Sequence, residues 1–265
     1  LGPRNAQVKR LRSLLNDRAA RRADGVFIAE GLRLIEGLLD RNAPLVAIYV
    51  EPGAHDPRRV DALLDRVEAL DVPVIELEPG VAARISSTVT PQAMFAEAML
   101  PEAALADVAA AGAPLMVLVG IQDPGNAGTI MRSAEAAGCG AVVFAADSVD
   151  PWNAKVIRAS AGAIWGVAVV EEKDPVQVLE VLGDAGYTRV STVARDGVAP
   201  DAANLSGSVA IVVGSEAHGL GADVIAATDL AVTIPMHGAV ESLNAGMAAT
   251  VLAFEAARQR SWDLA

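Results

Sequence analysis

Three short stretches carry polar residues of the kinds that bind and orient a reacting group. The first is Gln122-Asp-Pro-Gly-Asn-Ala-Gly-Thr-Ile-Met-Arg-Ser133. Pro124 and Gly125 turn the chain, Asn126 offers itself as a helix N-cap, and Arg132 follows nearly two turns later on the same broad face. The second is Val212-Val-Gly-Ser-Glu-Ala-His-Gly-Leu220. There an apolar strand ends at Gly214, where backbone can approach a ligand closely, and Glu216 sits at the strand's mouth with Gly219 behind it. It is not a Gly-x-Ser-x-Gly nucleophile elbow, because Ser215 follows Gly214 directly. Nor is it the Gly-x-Gly-x-x-Gly dinucleotide fingerprint. The third runs from Ile234-Pro-Met to Thr250: Ser242-Leu243-Asn244 opens a helix of small residues whose free N–H groups can face a ligand. Taken singly, the three also read as a capped helix with one surface Arg, a strand–turn–helix corner with an exposed Glu, and a well-made helix start.

The elements that must position these loops are read from hydrophobic spacing. Val8, Leu11, Leu14 and Leu15 mark a helix over 5–22. Strands follow at 26–29, 46–50, 74–77 and 95–100, with helices at 30–41, 57–70 and 79–84, which makes a small α/β unit over 1–100. The Ala-rich stretch 101–113 reads as a helical linker. A second unit, 114–265, alternates strands at 115–119, 141–144, 166–170, 189–193, 209–213 and 230–234 with helices at 126–138, 153–159, 175–185, 221–226 and 243–260. That alternation implies an α/β fold with a mostly parallel sheet covered on both faces, whose ligands gather at the carboxyl ends of the strands.

Bulk composition narrows the setting. About half of the 265 residues are apolar (52%), enough for a full core, and no apolar run is long enough to span a bilayer. The chain begins Leu-Gly-Pro, so its natural start is expected upstream. The single cysteine, Cys139, excludes an intrachain disulfide, fits a reducing cytoplasm and is expected as a small buried hydrophobe. The net charge of −12 argues against a nucleic-acid binder, but its distribution does not. Residues 1–33 hold eight Arg or Lys against three Asp or Glu, a basic face that can bind phosphate or, equally, a solvated Arg-rich helix.

The order and spacing of the three stretches carry a resemblance. Asn126 to Arg132, Gly214-Ser-Glu-Ala-His-Gly-Leu220 and Ile234-Pro-Met to Glu241-Ser-Leu-Asn244 resemble motifs 1, 2 and 3 of the SpoU (TrmH-like) RNA 2'-O-ribose methyltransferases of the SPOUT class, over about 115–260. Phe27-Ile-Ala-Glu-Gly-Leu-Arg-Leu-Ile-Glu36 and Ser87-Thr-Val-Thr-Pro-Gln92 resemble the RNA substrate-binding domain that many members carry, itself similar to small RNA-binding ribosomal proteins. The resemblance implies a parallel sheet with a deep trefoil knot, which periodicity cannot reveal, and a homodimer. It also implies S-adenosylmethionine held bent by loops near 192–195, 214–219 and 234–244. Gly214, Ile234 and Leu243 should contact the donor through backbone groups, with Thr192, Ala194 and Ser242 as further candidates. Arg132 should stand at the nucleophile, with Asn126, Glu216, Ser242 and Asn244 positioning sugar, Arg or donor, and Glu216 holding an Arg by a paired charge. No metal is implied: His218 and His237 lie in active loops without a second ligand at recognisable spacing, and His55 reads as a surface loop residue. Candidate RNA contacts are Arg10, Arg22, Glu30 and Arg33 in the first unit, with Arg158 and Arg195 reaching RNA or a partner subunit. Aromatics are too scarce for base stacking, so recognition should rest on phosphates and RNA shape.

Ribosomal RNA of the large subunit is the favoured substrate, and transfer RNA the alternative. Two rivals stay open. A dehydrogenase-like enzyme would need the missing glycine fingerprint. A non-catalytic RNA-binding or assembly factor would need no polar residues in the three motifs, and these are all retained.

Overall fold

Short apolar runs bounded by Gly, Pro and Asp force the chain into alternating strands and helices, and in the computed structural model these sort into two units. The described residues are 1–53, 57–86, 91–238, 240 and 242–260. His55 and the Ser87–Thr90 part of the substrate-domain stretch lie outside them.

The first unit comprises Leu1–Pro101 with Trp152–Arg158. It contains α1 (Ala6–Asn16), α2 (Arg18–Asp24), β1 (Val26–Glu30), α3 (Leu32–Asp40), β2 (Leu45–Val50), α4 (Pro57–Glu68), β3 (Val74–Glu76), α5 (Ala82–Ile85) and β4 (Met94–Met99). The sheet order is β1-β4-β2-β3, with β4 antiparallel to β1 and β2, and β3 parallel to β2. Val8, Leu11, Leu14 and Leu15 are buried as their spacing predicts. The single helix expected over 5–22 is instead two. Asp17 leaves helical conformation and its side chain accepts from Ala19 N at 2.8 Å, capping α2. Glu30 also departs from expectation: it stays in β1 and the next helix begins only at Leu32.

The second unit comprises Glu102–Pro151 and Ala159–Ala265. Its elements are α6 (Leu105–Ala110), β5 (Leu115–Val119), α7 (Pro124–Ala136), β6 (Ala141–Ala145), α8 (Ala154–Ala159, shared with the first unit), β7 (Ala168–Glu171), α9 (Pro175–Asp184), β8 (Thr188–Thr192), β9 (Val209–Gly214), α10 (Ala222–Ala226), β10 (Leu230–Val232) and α11 (Ala245–Gln259). All six strands are parallel, in the order β10-β8-β9-β5-β6-β7. β5, β6 and β9 are buried along their whole length, which is why they read as continuous apolar runs rather than alternating ones. Val117, Val143 and Val212 face a core completed by Leu179 and Leu182 of α9. α7 and α11 pack against each other and against the central strands. Within the stretch read as a linker, Leu105 and Ala109 of α6 enter that same core.

Beyond β8 the chain folds over the exit of β10. Val193 N donates to Val232 O on one side, and Val198 N to Ala231 O on the other, each at 2.9 Å. Thr233 N returns a bond to Val198 O at 2.9 Å. Further along, the Gln259 side chain of α11 accepts from Leu205 N at 2.8 Å and donates to Ala203 O at 2.9 Å. Among the described residues, no helix is long and apolar enough to cross a membrane.

Candidate active site

The carboxyl ends of β8, β9 and β10 open onto a cavity of about 440 Å³, within the range of roughly 300–1,000 Å³ usual for small-molecule sites. Its wall is built from the turn after β9. Gly219 N donates to Ser215 O at 2.8 Å, so the strand folds back on itself at once. A Cβ on Gly214 would lie 2.4 Å from the Gly219 carbonyl carbon, so only glycine permits this turn. The close backbone approach expected at Gly214 is therefore made first by its own chain, although Gly214 also lines the cavity. Thr192 Oγ1 donates to Val212 O at 3.0 Å and fixes the end of β8 beside β9. Thr192, Ala194, Gly214, Ile234, Ser242 and Leu243, the six candidate donor contacts, all line this one cavity.

Three candidate catalytic residues from distant parts of the sequence meet at the same place. Asn244 caps α11, its Oδ1 accepting from Met247 N at 3.2 Å. That fixes its amide orientation, and Nδ2 donates to Asn126 Oδ1 at 2.8 Å and to Glu216 Oε1 at 2.9 Å. Asn126 Nδ2 donates to the same Glu216 oxygen. Glu216 lines the cavity, so this cluster adjoins the donor candidates, as does Ser242. Two expectations are corrected. Asn126 does not cap α7; Asp123 does, accepting from Asn126 N at 2.8 Å, with Pro124 in the first turn. The Asp-Pro pair was the signal for this cap. Glu216 holds two amides rather than an Arg.

Arg132 stands apart. Six residues at about 100° each turn it by about a third of a circle from Asn126, off the face expected for it. It is exposed, does not line the cavity, and takes part in none of the ion pairs among the described residues. Of the remaining polar candidates, His218 lines the cavity and His237 is exposed, and no three His, Cys, Asp or Glu group together among the described residues.

The RNA-contact candidates of the first unit differ in exposure. Arg22 and Arg33 are exposed on α2 and α3. Arg10 is engaged, with Asp24 at 2.7 Å and the buried Glu97 at 2.8 Å; the hydrogen bond it donates to Glu97 holds its guanidinium pKa above the ordinary value. Glu97 also accepts from Tyr49 at 3.0 Å, and burial pushes the Tyr49 hydroxyl up to about 12. Glu30 is buried and accepts from Ser86 Oγ at 2.7 Å and Gln92 N at 3.2 Å, so it braces the fold rather than facing RNA. Arg158 lies 3.5 Å from Glu30, with its side chain 26% exposed.

Residues 114–254 match the SpoU rRNA methylase family, and residues 5–96 match the MRM3-like substrate binding domain. The 23S rRNA (guanosine(2553)-2'-O)-methyltransferase RlmP of Bacillus subtilis (strain 168) is 30% identical, over 95% of this chain and 96% of that protein. The 23S rRNA (guanosine-2'-O-)-methyltransferase RlmB of Photorhabdus laumondii is 31% identical, over 88% of this chain and 98% of that protein. In three dimensions, the SpoU methyltransferase AviRb from Streptomyces viridochromogenes, solved in complex with the cofactor AdoMet, matches with a TM-score of 0.88 at 25% identity, over 97% of this chain and 99% of that one. The family match spans the loops that build the cavity and the amide cluster, and full-length relatives extend it across both units: the chain belongs to the SpoU rRNA methylase family.

Proposed function

We propose that this chain is an S-adenosylmethionine-dependent methyltransferase that methylates the ribose 2'-hydroxyl of a guanosine in 23S rRNA. The observation that carries the reading is the meeting of Asn126, Glu216 and Asn244, drawn from three loops, beside the cavity that Glu216 lines. The residues present fit the donor: Val213, Ile234 and Leu243 offer apolar walls for a flat base, and Gly214 and Ala194 offer backbone groups. When bound, S-adenosylmethionine supplies an electrophilic methyl group on a sulfonium sulfur. Thr192, Ala194, Gly214, Ile234, Ser242 and Leu243 hold it, and the amide cluster with Ser242 orients the ribose against it. Arg132 takes the role of a positive charge rather than of a base. It grips a neighbouring phosphate of the RNA, as its exposed position on α7 outside the cavity allows.

Arg22 and Arg33, exposed on the first unit, supply the electrostatic grip on RNA, with Arg10 and Arg158 adding positive charge while they keep their carboxylate partners. The bonds that Val193 and Val198 make to opposite sides of the β10 exit support a knotted path, in which the C-terminal segment threads the loop after β8. On α11, Met247, Val251 and Phe254 are 58%, 40% and 37% exposed at positions that share one helical face, which supports a homodimer built on that face. Such an enzyme works in the cytoplasm, where its RNA is.

Incubation with unmodified 23S rRNA and a methyl-labelled donor, followed by mapping of 2'-O-methyl positions, tests the reading. Label on a 23S guanosine is expected. Label on transfer RNA instead would move the target, and RNA binding without any transfer would make the chain an assembly factor.

A further inference from the structure

We propose that Asp123 is a positioning residue for the methyl transfer: by capping α7 it keeps the Asn126 side chain out of the cap and aimed at Glu216 and Asn244. This rests on the catalytic reading of the amide cluster given above.

Asn is itself among the best N-capping residues, because its side-chain oxygen competes for free backbone N–H groups. At the start of α7 two such residues compete, Asp123 and Asn126. Asp123 wins, and its carboxylate accepts from the backbone N of Asn126 itself. Asn126 is thereby placed at the third position of the helix. In a capping box the side chain at that position turns back to the N-cap N–H. Here it points outward, donating to Glu216 and accepting from Asn244. The direction is set along the whole chain of bonds. Asn244 Oδ1 is committed to Met247 N, so its Nδ2 must face Asn126 Oδ1, and Asn126 Nδ2 must then face Glu216. Without the Asp123 carboxylate, Asn126 is the next residue able to cap α7. As a cap it would turn its oxygen onto the helix backbone and leave both neighbours.

The same unit supplies a control. α9 begins with the same Asp-Pro pair, and Asp174 accepts from Val176 N at 2.9 Å and Gln177 N at 3.3 Å. No residue of that helix turn belongs to the cavity or to the amide cluster.

The test compares the full chain with Asp123→Ala, Asp123→Ser, Asp174→Ala and Asn126→Ala. Asp123→Ala and Asp174→Ala should lower Tm alike, by about 2–4 °C. Only Asp123→Ala should lose turnover, by roughly 10- to 100-fold in kcat, with donor affinity unchanged. Asp123→Ser, which restores an N-cap acceptor, should recover most of it. In the protein without donor or RNA, the NMR side-chain amide signals of Asn126 and Asn244 should shift in Asp123→Ala and stay in place in Asp174→Ala. Turnover in Asp123→Ala equal to that in Asp174→Ala, or unmoved amide signals, overturns the proposal. Normal turnover by Asn126→Ala would instead overturn the catalytic reading of the cluster on which the proposal rests.

Discussion

Arg132 is the cation of the first motif that no carboxylate among the described residues neutralises, and it is exposed on α7. An unpaired guanidinium of this kind is available to a phosphate, and its removal leaves no buried charge behind. Arg132→Ala should therefore keep its Tm and its calorimetric affinity for S-adenosylmethionine while methylation falls by roughly 10²- to 10³-fold; wild-type turnover would remove Arg132 from the site. Cys139 makes the opposite case, a reactive side chain kept idle. Burial raises its thiol pKa to about 11, so at pH 8 the folded protein holds almost no thiolate. Reaction with a disulfide reagent at pH 8 should be slow in buffer and fast in denaturant, where the pKa returns toward about 8.5. In the folded protein the rate should climb only as pH approaches 11. Fast labelling of the native chain at pH 8 would contradict the buried position.

At the level of elements, the buried strands are legible and the helix starts are less so. Fully apolar runs such as Leu115–Val119 and Val209–Gly214 were readable as buried strands because hydrophobic burial acts on the side chains themselves. The cap at Asp123 is hard to read because Asp123 and Asn126 compete for the same backbone N–H groups and geometry decides the winner, whereas the break at Asp17 is a local turn in which its own carboxylate takes Ala19 N. The amide cluster was legible as three separate motifs. Its hydrogen bonds were not, since they depend on how β9, α7 and α11 meet in space. Gly128 shows how tightly α7 is held. A Cβ there would lie 2.4 Å from Ala159 Cβ and 2.6 Å from the Ala159 carbonyl carbon, and backbone cannot yield as a side chain can. Gly128→Ala gains helix propensity of about 1 kcal/mol, but overpacking costs about 1–3 kcal/mol. The clash is with backbone, so the upper part of that range governs. Denaturant titration should show a net loss of about 1–2 kcal/mol, and a more stable variant would mean that the chain at Ala159 is free to move away.

For the whole molecule, an acidic chain with a basic first segment must solve two problems at once, attracting RNA and staying soluble. A net charge of −12 keeps copies apart at long range, so any stable self-association needs a local apolar surface large enough to overcome that repulsion. We place that surface, as proposed above, at Met247, Val251 and Phe254 on one face of α11, the helix whose N-terminus carries Asn244. Pairing there would tie the cap of α11, and with it the amide cluster, to the assembled state. Val251→Glu with Phe254→Glu places two charges in that face without touching the cavity, which neither residue lines. Light scattering at micromolar concentration should give twice the 27.2 kDa chain mass for the parent protein and the single chain mass for the double variant. A parent protein that runs as a single chain, or a double variant that still runs as two, would place the interface elsewhere. Should the monomeric variant also lose methylation while its melting curve stays cooperative, the apolar face of α11 is part of what makes the site competent.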